Sequence, residues 1–343
     1  MADRTFEKRR IAETDLEITT LGLGGATLAG IFKPTDEMES RATITRALEE
    51  GITYFDTAPQ YGYGRSEHMM GNALRGKRSG TVLSTKVGRL LRPIASEADR
   101  QYPHNWVDPL PFEQVYDYTY DAIMRSFEDS QQRLGLDKID ILYVHDIGVM
   151  THGEEENARL WGQLADSGYR ALRELRESGV IGAIGLGVNE WEVLMDAFAL
   201  GDWDVFLLAG RYTLLEQTSL NPFLSTCIER KASVVCGGPF NGGALMGAGV
   251  WNYAKAPQHI IDRVKALEAF CAERKVSLGA AALQFPLAHP AVCNVLPGPR
   301  TVSELEGILE WWHEKIPAEF WAELASSGLV AEGTPLPGGV VAE

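Results

Sequence analysis

Short apolar segments alternate with helix-like segments along most of this chain, and four of the apolar segments end in a polar residue. These segments are residues 52–56, 81–86, 140–145 and 183–189, which end at Asp56, Lys86, His145 and Asn189. Such an alternation predicts a parallel barrel, because a helix must carry the chain back before the next parallel strand begins. The loops after the strands converge at one face of a barrel, so we expect the four polar side chains to share one pocket.

The alternation continues along the chain and predicts an α/β fold, a (β/α)8 TIM barrel formed by a single domain over residues 1–343. The predicted strands are 21–27, 52–56, 81–86, 139–145, 181–188, 204–209, 233–236 and 291–296. Helices at 302–313 and 317–326 are expected to complete the body. The glycine- and proline-rich residues 333–339 are typical of a loose tail.

A long segment after the third strand interrupts this alternation. Residues 88–115 contain four prolines, which favour an irregular loop over a barrel element. A loop of this length in a compact domain is typical of functional sites. The helical spacing of apolar residues then predicts a helix at 116–134, and another helix is expected at 160–178.

Charge and cysteine content limit the classes of partner. Lys and Arg total 32 while Asp and Glu total 47, so the formal net charge is −15; this argues against nucleic acid and anionic membranes as partners. The four cysteines show no paired spacing, so we expect free thiols and a cytoplasmic protein. No apolar run approaches the roughly 18 residues of a membrane span. The number of subunits stays open.

Tyr61 is the predicted acid and base of the site. It follows Asp56 by five residues, in a loop that can reach Lys86 and His145. A phenol with its ordinary pKa of about 10 is a poor base near neutrality, and we expect the Lys86 ammonium to lower the pKa of Tyr61. Asp56 would hold Lys86 and His145 would orient a substrate oxygen. No metal-ligand spacing or hydrolase motif is present, so the set favours metal-free carbonyl–alcohol interconversion with a hydride-carrying cofactor.

These residues resemble the aldo-keto reductase family. The resemblance rests on Asp56-Thr57-Ala58, Tyr61-Gly62, Gly64, Ser66-Glu67, Lys86 and His145, and it extends from about Leu21 to Glu306. It implies a TIM barrel, a nicotinamide cofactor bound without a Rossmann fold, and proton transfer by Tyr61. By the same resemblance, Lys86 and Asp56 tune Tyr61, and His145 positions the substrate.

The resemblance also implies a set of cofactor contacts. Asn189 would hold the nicotinamide carboxamide, the loop 238–245 would bind the pyrophosphate, and the segment 296–300 would meet the adenosine. The implied contact residues are Gly24, Thr27, Asp56, Asn189, Gly238, Pro239, Phe240, Gly243, Leu245, Pro297, Gly298, Pro299, Arg300 and Glu304. Gly237 and Ala209 depart from the family pattern, which often has an aromatic residue and a glutamine there.

Glu304 lies where members that prefer NADPH often have an arginine. A carboxylate repels a 2′-phosphate and can accept a hydrogen bond from a ribose hydroxyl. We therefore expect NAD as the preferred cofactor, with NADP possible. The negative charge of Glu304 also argues against the function of a general NADPH-dependent aldehyde reductase.

The segment 87–93, the long loop and residues 118–130 resemble one branch of the family. That branch contains bacterial NAD-dependent D-threo-aldose (L-fucose) 1-dehydrogenases and pyridoxal 4-dehydrogenases, which oxidise cyclic hemiacetals to lactones. We expect an aldose 1-dehydrogenase acting on a sugar or another hemiacetal, with pyridoxal as the alternative substrate. Two interpretations stay open for Trp106, His104 and Tyr63: they line a sugar-sized pocket, or they are surface aromatic residues. A cofactor-binding regulatory subunit of a channel is the alternative from another class.

Overall fold

The computed structural model describes residues 6–96 and 105–343, and within them eight parallel strands form a barrel. The strands are β1 Leu23–Gly24, β2 Tyr54–Asp56, β3 Val82–Val87, β4 Ile141–His145, β5 Ala183–Val188, β6 Val205–Ala209, β7 Ser233–Gly237 and β8 Val292–Leu296. They pair in chain order. A parallel bridge between Leu21 and Val295 brings the first and last strands together. The predicted TIM barrel is confirmed.

Helices surround the barrel. In the described residues they are α1 Glu37–Glu49, α2 Arg65–Leu74, α3 Tyr120–Leu134, α4 Val149–Gln163, α5 Tyr169–Glu177, α6 Glu192–Leu200, α7 Ser225–Glu229, α8 Gln258–Glu273, α9 Leu278–Gln284, α10 Val302–His313 and α11 Ala318–Ala325. The helix expected at 160–178 begins earlier, because α4 runs through a π-helical turn at Leu164–Gly168 into α5. The two C-terminal helices lie where the sequence predicts them. None of the helices described is long and apolar enough to cross a membrane.

The prediction of an irregular loop after β3 is wrong for part of that segment. Arg89–Pro93 and Phe112–Tyr116 pair as an antiparallel hairpin, which we call the long-loop hairpin. Pro93 is tolerated because it lies at the end of a two-stranded ribbon, where a missing N–H leaves no partner strand unpaired. The same hairpin shortens the following helix, since Tyr116 belongs to a strand and α3 begins only at Tyr120.

An N-terminal hairpin closes the opposite end of the barrel. Lys8–Arg10 pairs with Glu17–Thr19, and Ile11 and Ile18 lie in the same apolar cluster as Tyr143 inside the barrel. That end is therefore filled with apolar side chains. Polar side chains collect at the other end, where the strands finish.

A second short hairpin forms near the C-terminus. Pro335–Leu336 pairs with Val340–Val341, in the region expected to be a loose tail. The backbone hydrogen bond from Ala342 to Thr334 (2.9 Å) extends this pairing. The turn glycines Gly338 and Gly339 both have positive φ, the conformation that lets so short a hairpin close.

Candidate active site

Three of the four predicted catalytic side chains lie at the carboxyl ends of neighbouring barrel strands. Asp56 ends β2, Lys86 lies near the end of β3, and His145 ends β4. The Nζ atom of Lys86 lies 2.6 Å from Oδ2 of Asp56 and also donates to the carbonyl oxygen of Thr57 at 2.9 Å. Both charged side chains are almost fully buried, so each depends on the other for its charge.

Hydroxyl groups inside the barrel support the Asp56 carboxylate. Ser84 donates to Oδ1 of Asp56 at 2.7 Å, and the Tyr54 hydroxyl lies 3.0 Å from Ser84 and 3.1 Å from the Tyr143 hydroxyl. Burial raises the pKa of Asp56, and the Lys86 ammonium and the Ser84 hydroxyl oppose this rise. The carboxylate is thus held by one ion pair and one chain of hydroxyls.

Tyr61 reaches the same pocket from the loop after β2. The Lys86 Nζ atom lies 4.7 Å from the centre of the Tyr61 ring, and the His145 ring meets it edge-on at 5.8 Å between centroids. The Tyr61 side chain is only half-buried, as a group that meets a substrate requires. The structure therefore brings together the four side chains expected from the sequence.

The pKa of Tyr61 shifts in the direction opposite to the one expected. Burial of the phenol raises this pKa well above 10; the Asp56 and Asp146 carboxylates raise it further, and the Arg89 guanidinium lowers it. Lys86 does not supply the expected lowering, because its hydrogen bonds go to the Asp56 carboxylate and to a backbone carbonyl. In the absence of cofactor, the Tyr61 phenol is therefore protonated at neutral pH.

Two charged residues join this site that the sequence analysis did not identify. Asp146 directly follows His145, and its carboxylate contacts Nη2 of Arg89, a residue of the long-loop hairpin. The same carboxylate lies 3.5 Å from Nε2 of His145 and accepts from Nδ2 of Asn189 at 3.2 Å. One sequence feature could have identified Asp146: it is a charged residue immediately after the histidine that ends a predicted strand.

The structure describes two of the three aromatic residues expected to line a substrate pocket, and it places them differently. Trp106 packs against Tyr61 with 5.9 Å between ring centroids, and its indole N–H has no hydrogen-bond partner among the described residues. Tyr63 is instead buried in the main apolar core at 1% exposure, so its predicted place in the pocket is wrong. Its positive φ of 53° accompanies the tight turn that directs it inward. His104 lies outside the described residues.

The segment 296–300, predicted to meet the adenosine, lies against Gly24 and Thr27, two other predicted cofactor contacts. The Gly24 N–H donates to Pro297 at 2.9 Å and the Thr27 hydroxyl donates to Pro299 at 3.2 Å. A Cβ at Gly298 would approach the Thr27 hydroxyl to 3.0 Å, so a side chain there would crowd the contact. These five residues thus form one surface.

Arg300 and Glu304 make contacts within the protein. The Arg300 guanidinium donates to the carbonyl oxygens of Thr27, Ile31 and Lys33 at 3.0–3.1 Å, which ties it to the loop after β1. The Glu304 carboxylate accepts from the Arg300 backbone N–H at 2.7 Å, in the first turn of α10. Glu304 is exposed, so its negative charge also faces any ligand at this helix end.

The predicted pyrophosphate loop contains glycines in conformations that other residues rarely adopt. Gly238 and Gly243 have φ values of 57° and 97°, and a Cβ at Gly238 would meet its first neighbouring heavy atom only at 3.9 Å. Pro239 and Leu245 are buried, and the Phe240 ring packs edge-on against Trp311 at 5.8 Å. Glycine backbone of this kind lets N–H groups approach anionic oxygens closely. The loop therefore fits the pyrophosphate of a nicotinamide cofactor.

A small hairpin after β7 covers the mouth near Asn189. The Tyr253 hydroxyl donates to Oδ1 of Asn189 at 3.3 Å, and the Tyr253 ring stacks on Phe32 at 6.2 Å. Ala209 and Gly237 pair in register on β6 and β7, and a Cβ at Gly237 would lie only 3.0 Å from a Leu207 methyl group, so this position is closely packed. Tyr253 lies beyond the predicted pyrophosphate loop 238–245, and the sequence analysis assigned it no role.

No group of three or more potential metal ligands occurs in residues 6–96 and 105–343. The arrangement has the groups that proton transfer requires, and it lies beside the residues predicted to bind a dinucleotide. A phenol, an imidazole and a buried ammonium–carboxylate pair can bind an alcohol or carbonyl oxygen and move its proton.

Comparisons with known proteins agree with this chemistry. The model of the Aldo/keto reductase family matches residues 20–328. The chain is 44% identical to a pyridoxal 4-dehydrogenase of Microbacterium luteolum, over 96% of this chain and 99% of that protein. It is 37% identical to a D-threo-aldose 1-dehydrogenase of a Pseudomonas species, over 93% of this chain and 97% of that protein.

A solved structure has the same fold. The holo form of the aldo-keto reductase AKR11C1 from Bacillus halodurans superposes with a TM-score of 0.71 at 26% identity, covering 95% of this chain and 97% of that one. The family match spans every barrel strand, and dehydrogenases are among the relatives of nearly full length. This chain belongs to the aldo/keto reductase family and is an NAD(P)-dependent oxidoreductase.

Proposed function

We propose that this protein is an NAD-dependent dehydrogenase that oxidises a cyclic hemiacetal to a lactone. An aldose such as L-fucose, oxidised at carbon 1, is the substrate expected from the sequence, and the 37% identity to a D-threo-aldose 1-dehydrogenase supports it. Pyridoxal, which forms a cyclic hemiacetal, is the second candidate, and the 44% identity to a pyridoxal 4-dehydrogenase supports it. Both reactions remove one hydride and one proton from a hemiacetal carbon and its hydroxyl.

The observation that carries this proposal is the position of Tyr61 between the His145 and Trp106 rings, at 5.8 and 5.9 Å. His145 positions the hemiacetal hydroxyl, and the Tyr61 oxygen takes the hydroxyl proton as the lactone carbonyl forms. Lys86 and Asp56 keep the phenol in place. A bound nicotinamide supplies the hydride acceptor.

The substrate ring is proposed to lie against Trp106. An indole face suits the apolar face of a sugar or pyridine ring. The indole N–H, which lacks a partner among the described residues, would donate to a ring hydroxyl. Buried N–H groups rarely stay unpaired, so a substrate oxygen is a natural partner.

Cofactor contacts follow the surfaces described above. Asn189 would hold the carboxamide, the loop from Gly238 would hold the pyrophosphate, and the surface around Thr27 would hold the adenosine. Glu304 places a negative charge at the end of α10, which disfavours a 2′-phosphate and supports NAD over NADP. We also propose a cytoplasmic location, because the four cysteines are free thiols that a reducing compartment maintains.

The other functions considered have less support. A channel regulatory subunit would bind the cofactor without needing turnover, whereas the relatives with 44% and 37% identity are named as dehydrogenases. A general NADPH-dependent aldehyde reductase is opposed by the charge of Glu304.

Initial-rate measurements test the proposal directly. L-fucose, other aldoses and pyridoxal are assayed with NAD and with NADP, and the product is identified as lactone or free acid. The methyl glycoside of L-fucose is the matched control, because its carbon 1 carries no free hydroxyl and cannot release a proton. We expect steady turnover with NAD for one hemiacetal class and none for the glycoside. Absence of turnover with every hemiacetal, or equal rates with the glycoside, would refute the proposal.

A further inference from the structure

A buried ion pair connects the long-loop hairpin to both sides of the proposed site. Nη2 of Arg89 contacts Oδ2 of Asp146, which lies 3.5 Å from Nε2 of His145; Oδ1 of Asp146 accepts from the Asn189 amide at 3.2 Å. We propose that Arg89 and Asp146 are positioning residues that fix His145 and Asn189 in one arrangement. This inference rests on the proposed function, in which His145 meets the substrate and Asn189 meets the nicotinamide.

The backbone around Asp146 directs its carboxylate into this position. Asp146 has a φ of 43°, a left-handed conformation that few residues other than glycine, asparagine and aspartate adopt readily. Its N–H donates to the Gly187 carbonyl oxygen of β5 at 2.9 Å. The chain thus turns sharply after β4 while staying bonded to the neighbouring strand. This turn brings the Asp146 carboxylate between the side chain of His145, which ends β4, and that of Asn189, which follows β5.

Arg89 holds the carboxylate from the opposite side. The Arg89 side chain is 1% exposed, donates to Oε1 of Gln114 at 3.2 Å and lies 5.0 Å from the centre of the Tyr116 ring. Both partners belong to the second strand of the same hairpin. Because this hairpin holds the guanidinium, the ion pair links the position of the Asp146 carboxylate to that of the hairpin.

Stability alone does not explain such a pair. Removing two charges from water has a large unfavourable free energy, so a buried ion pair often stabilises a fold no more than apolar side chains of similar volume. The two oxygens of the Asp146 carboxylate face different partners: one faces Arg89 and His145, and the other faces Asn189. This arrangement has a geometric consequence. The hydrogen bond from Asn189 fixes the rotation of its amide, and the 3.5 Å approach of the carboxylate to Nε2 of His145 favours one orientation of the imidazole ring.

The chain offers a matched control at the other end of the same strand. Asp140 precedes β4 as Asp146 follows it, and Nη2 of Arg78 lies 2.5 Å from Oδ2 of Asp140. Asp140 is 4% exposed and also accepts from the Leu83 N–H at 2.8 Å. This pair joins strands at the end of the barrel away from the site. Lys138 stays 3.1 Å from Asp140 when Arg78 is replaced, so the variant reports the structural effect of losing one ion pair away from the site.

The test compares three variants of the full chain with the wild type. Arg89→Met with Asp146→Gly removes both charges and leaves no buried charge unpaired, and glycine adopts the φ of 43° at position 146 without strain. Arg89→Lys keeps the charge but loses the forked geometry. Arg78→Met is the control. Thermal stability, the Kd for NADH from fluorescence titration, and kcat and KM for the hemiacetal oxidised are measured for each.

We expect the double variant to stay folded while kcat falls by up to about 10²-fold, the scale of a small misplacement at a site. Its Kd for NADH should rise several-fold, because Asn189 loses its restraint. Arg89→Lys should recover part of both losses, whereas Arg78→Met should change only thermal stability. A double variant with wild-type kcat and wild-type Kd, or one that loses only thermal stability as Arg78→Met does, would overturn the proposal. The NADH titration needs no substrate, so it distinguishes this result from a failure of the proposed function.

Discussion

The ammonium of Lys86 faces the ring of Tyr61 and not its hydroxyl, with Nζ 4.7 Å from the ring centre. A cation above an aromatic face is attracted by the π electrons, and this contact does not require the phenol to ionise. The hydrogen bonds of the ammonium are directed to Asp56 and to the Thr57 carbonyl, whose negative character offsets its charge. The phenol therefore stays protonated at neutral pH and can act as a proton donor. High pH or the effect of a bound ligand is needed to remove its proton.

This relationship predicts opposite pH dependences for the two directions of reaction. The pKa of Tyr61 is raised, so below it the phenolate fraction grows about tenfold for each pH unit. Oxidation needs the phenolate as base, and its kcat/KM should therefore rise with pH through the neutral range. Reduction needs the neutral phenol, and its kcat/KM should stay level over the same range. Rate profiles measured in both directions check this; an oxidation rate independent of pH would contradict it.

Trp106 is predicted to bind substrate through its indole N–H. Trp106→Phe keeps an aromatic ring against Tyr61 but removes a donor, so KM should rise by up to about tenfold with little change in kcat. Trp203 is the matched control, because it is also buried but its N–H already donates to the Ala197 carbonyl at 2.7 Å. Trp203→Phe should lower thermal stability and leave KM unchanged. Equal KM values for both variants would place the substrate elsewhere.

Glu304 is predicted to set the cofactor preference. Glu304→Arg removes a repulsion and adds a charge-assisted contact to a 2′-phosphate, which should move the ratio of kcat/KM toward NADP by about 1–3 kcal/mol, or about ten- to a hundredfold. Glu310→Arg makes the same charge change on the exposed face of α10, farther from its N-terminus. It should leave the ratio unchanged. A wild type equally efficient with both cofactors, and indifferent to Glu304→Arg, would show that Glu304 serves only the helix end.

The barrel and the gathering of its polar side chains could be predicted from the sequence because both depend on local pattern. Asp56, Lys86 and His145 each follow a run of apolar residues, and parallel topology alone then brings them to one face. The long-loop hairpin was missed because proline content favours irregular structure, while Pro93 in fact lies at a ribbon end. The expectation that residues 1–343 form a single domain stays a prediction.

The parts of the site that escaped prediction depend on long-range contacts. Arg89 and Asp146 are 57 residues apart, and their pairing follows from how a hairpin packs on the barrel mouth. Tyr253 reaches Asn189 across 64 residues. The pKa of Tyr61 was predicted with the wrong sign because burial, the largest influence on it, cannot be estimated from spacing. Sequence spacing identified the groups, and packing determined their electrostatics.

The most direct test of the proposed chemistry is Tyr61→Phe, studied with Tyr63→Phe as its neighbour control. Tyr63 lies two residues away and is buried in the main core, outside the pocket. Turnover of the hemiacetal substrate and the Kd for NADH are measured for both variants. Tyr61→Phe should lower kcat by about 10²–10⁴-fold with an unchanged Kd for NADH, because only the proton-transfer group is lost. Tyr63→Phe should keep kcat near that of the wild type. A Tyr61→Phe enzyme that turns over at the wild-type rate would contradict the assignment of Tyr61 as the acid and base.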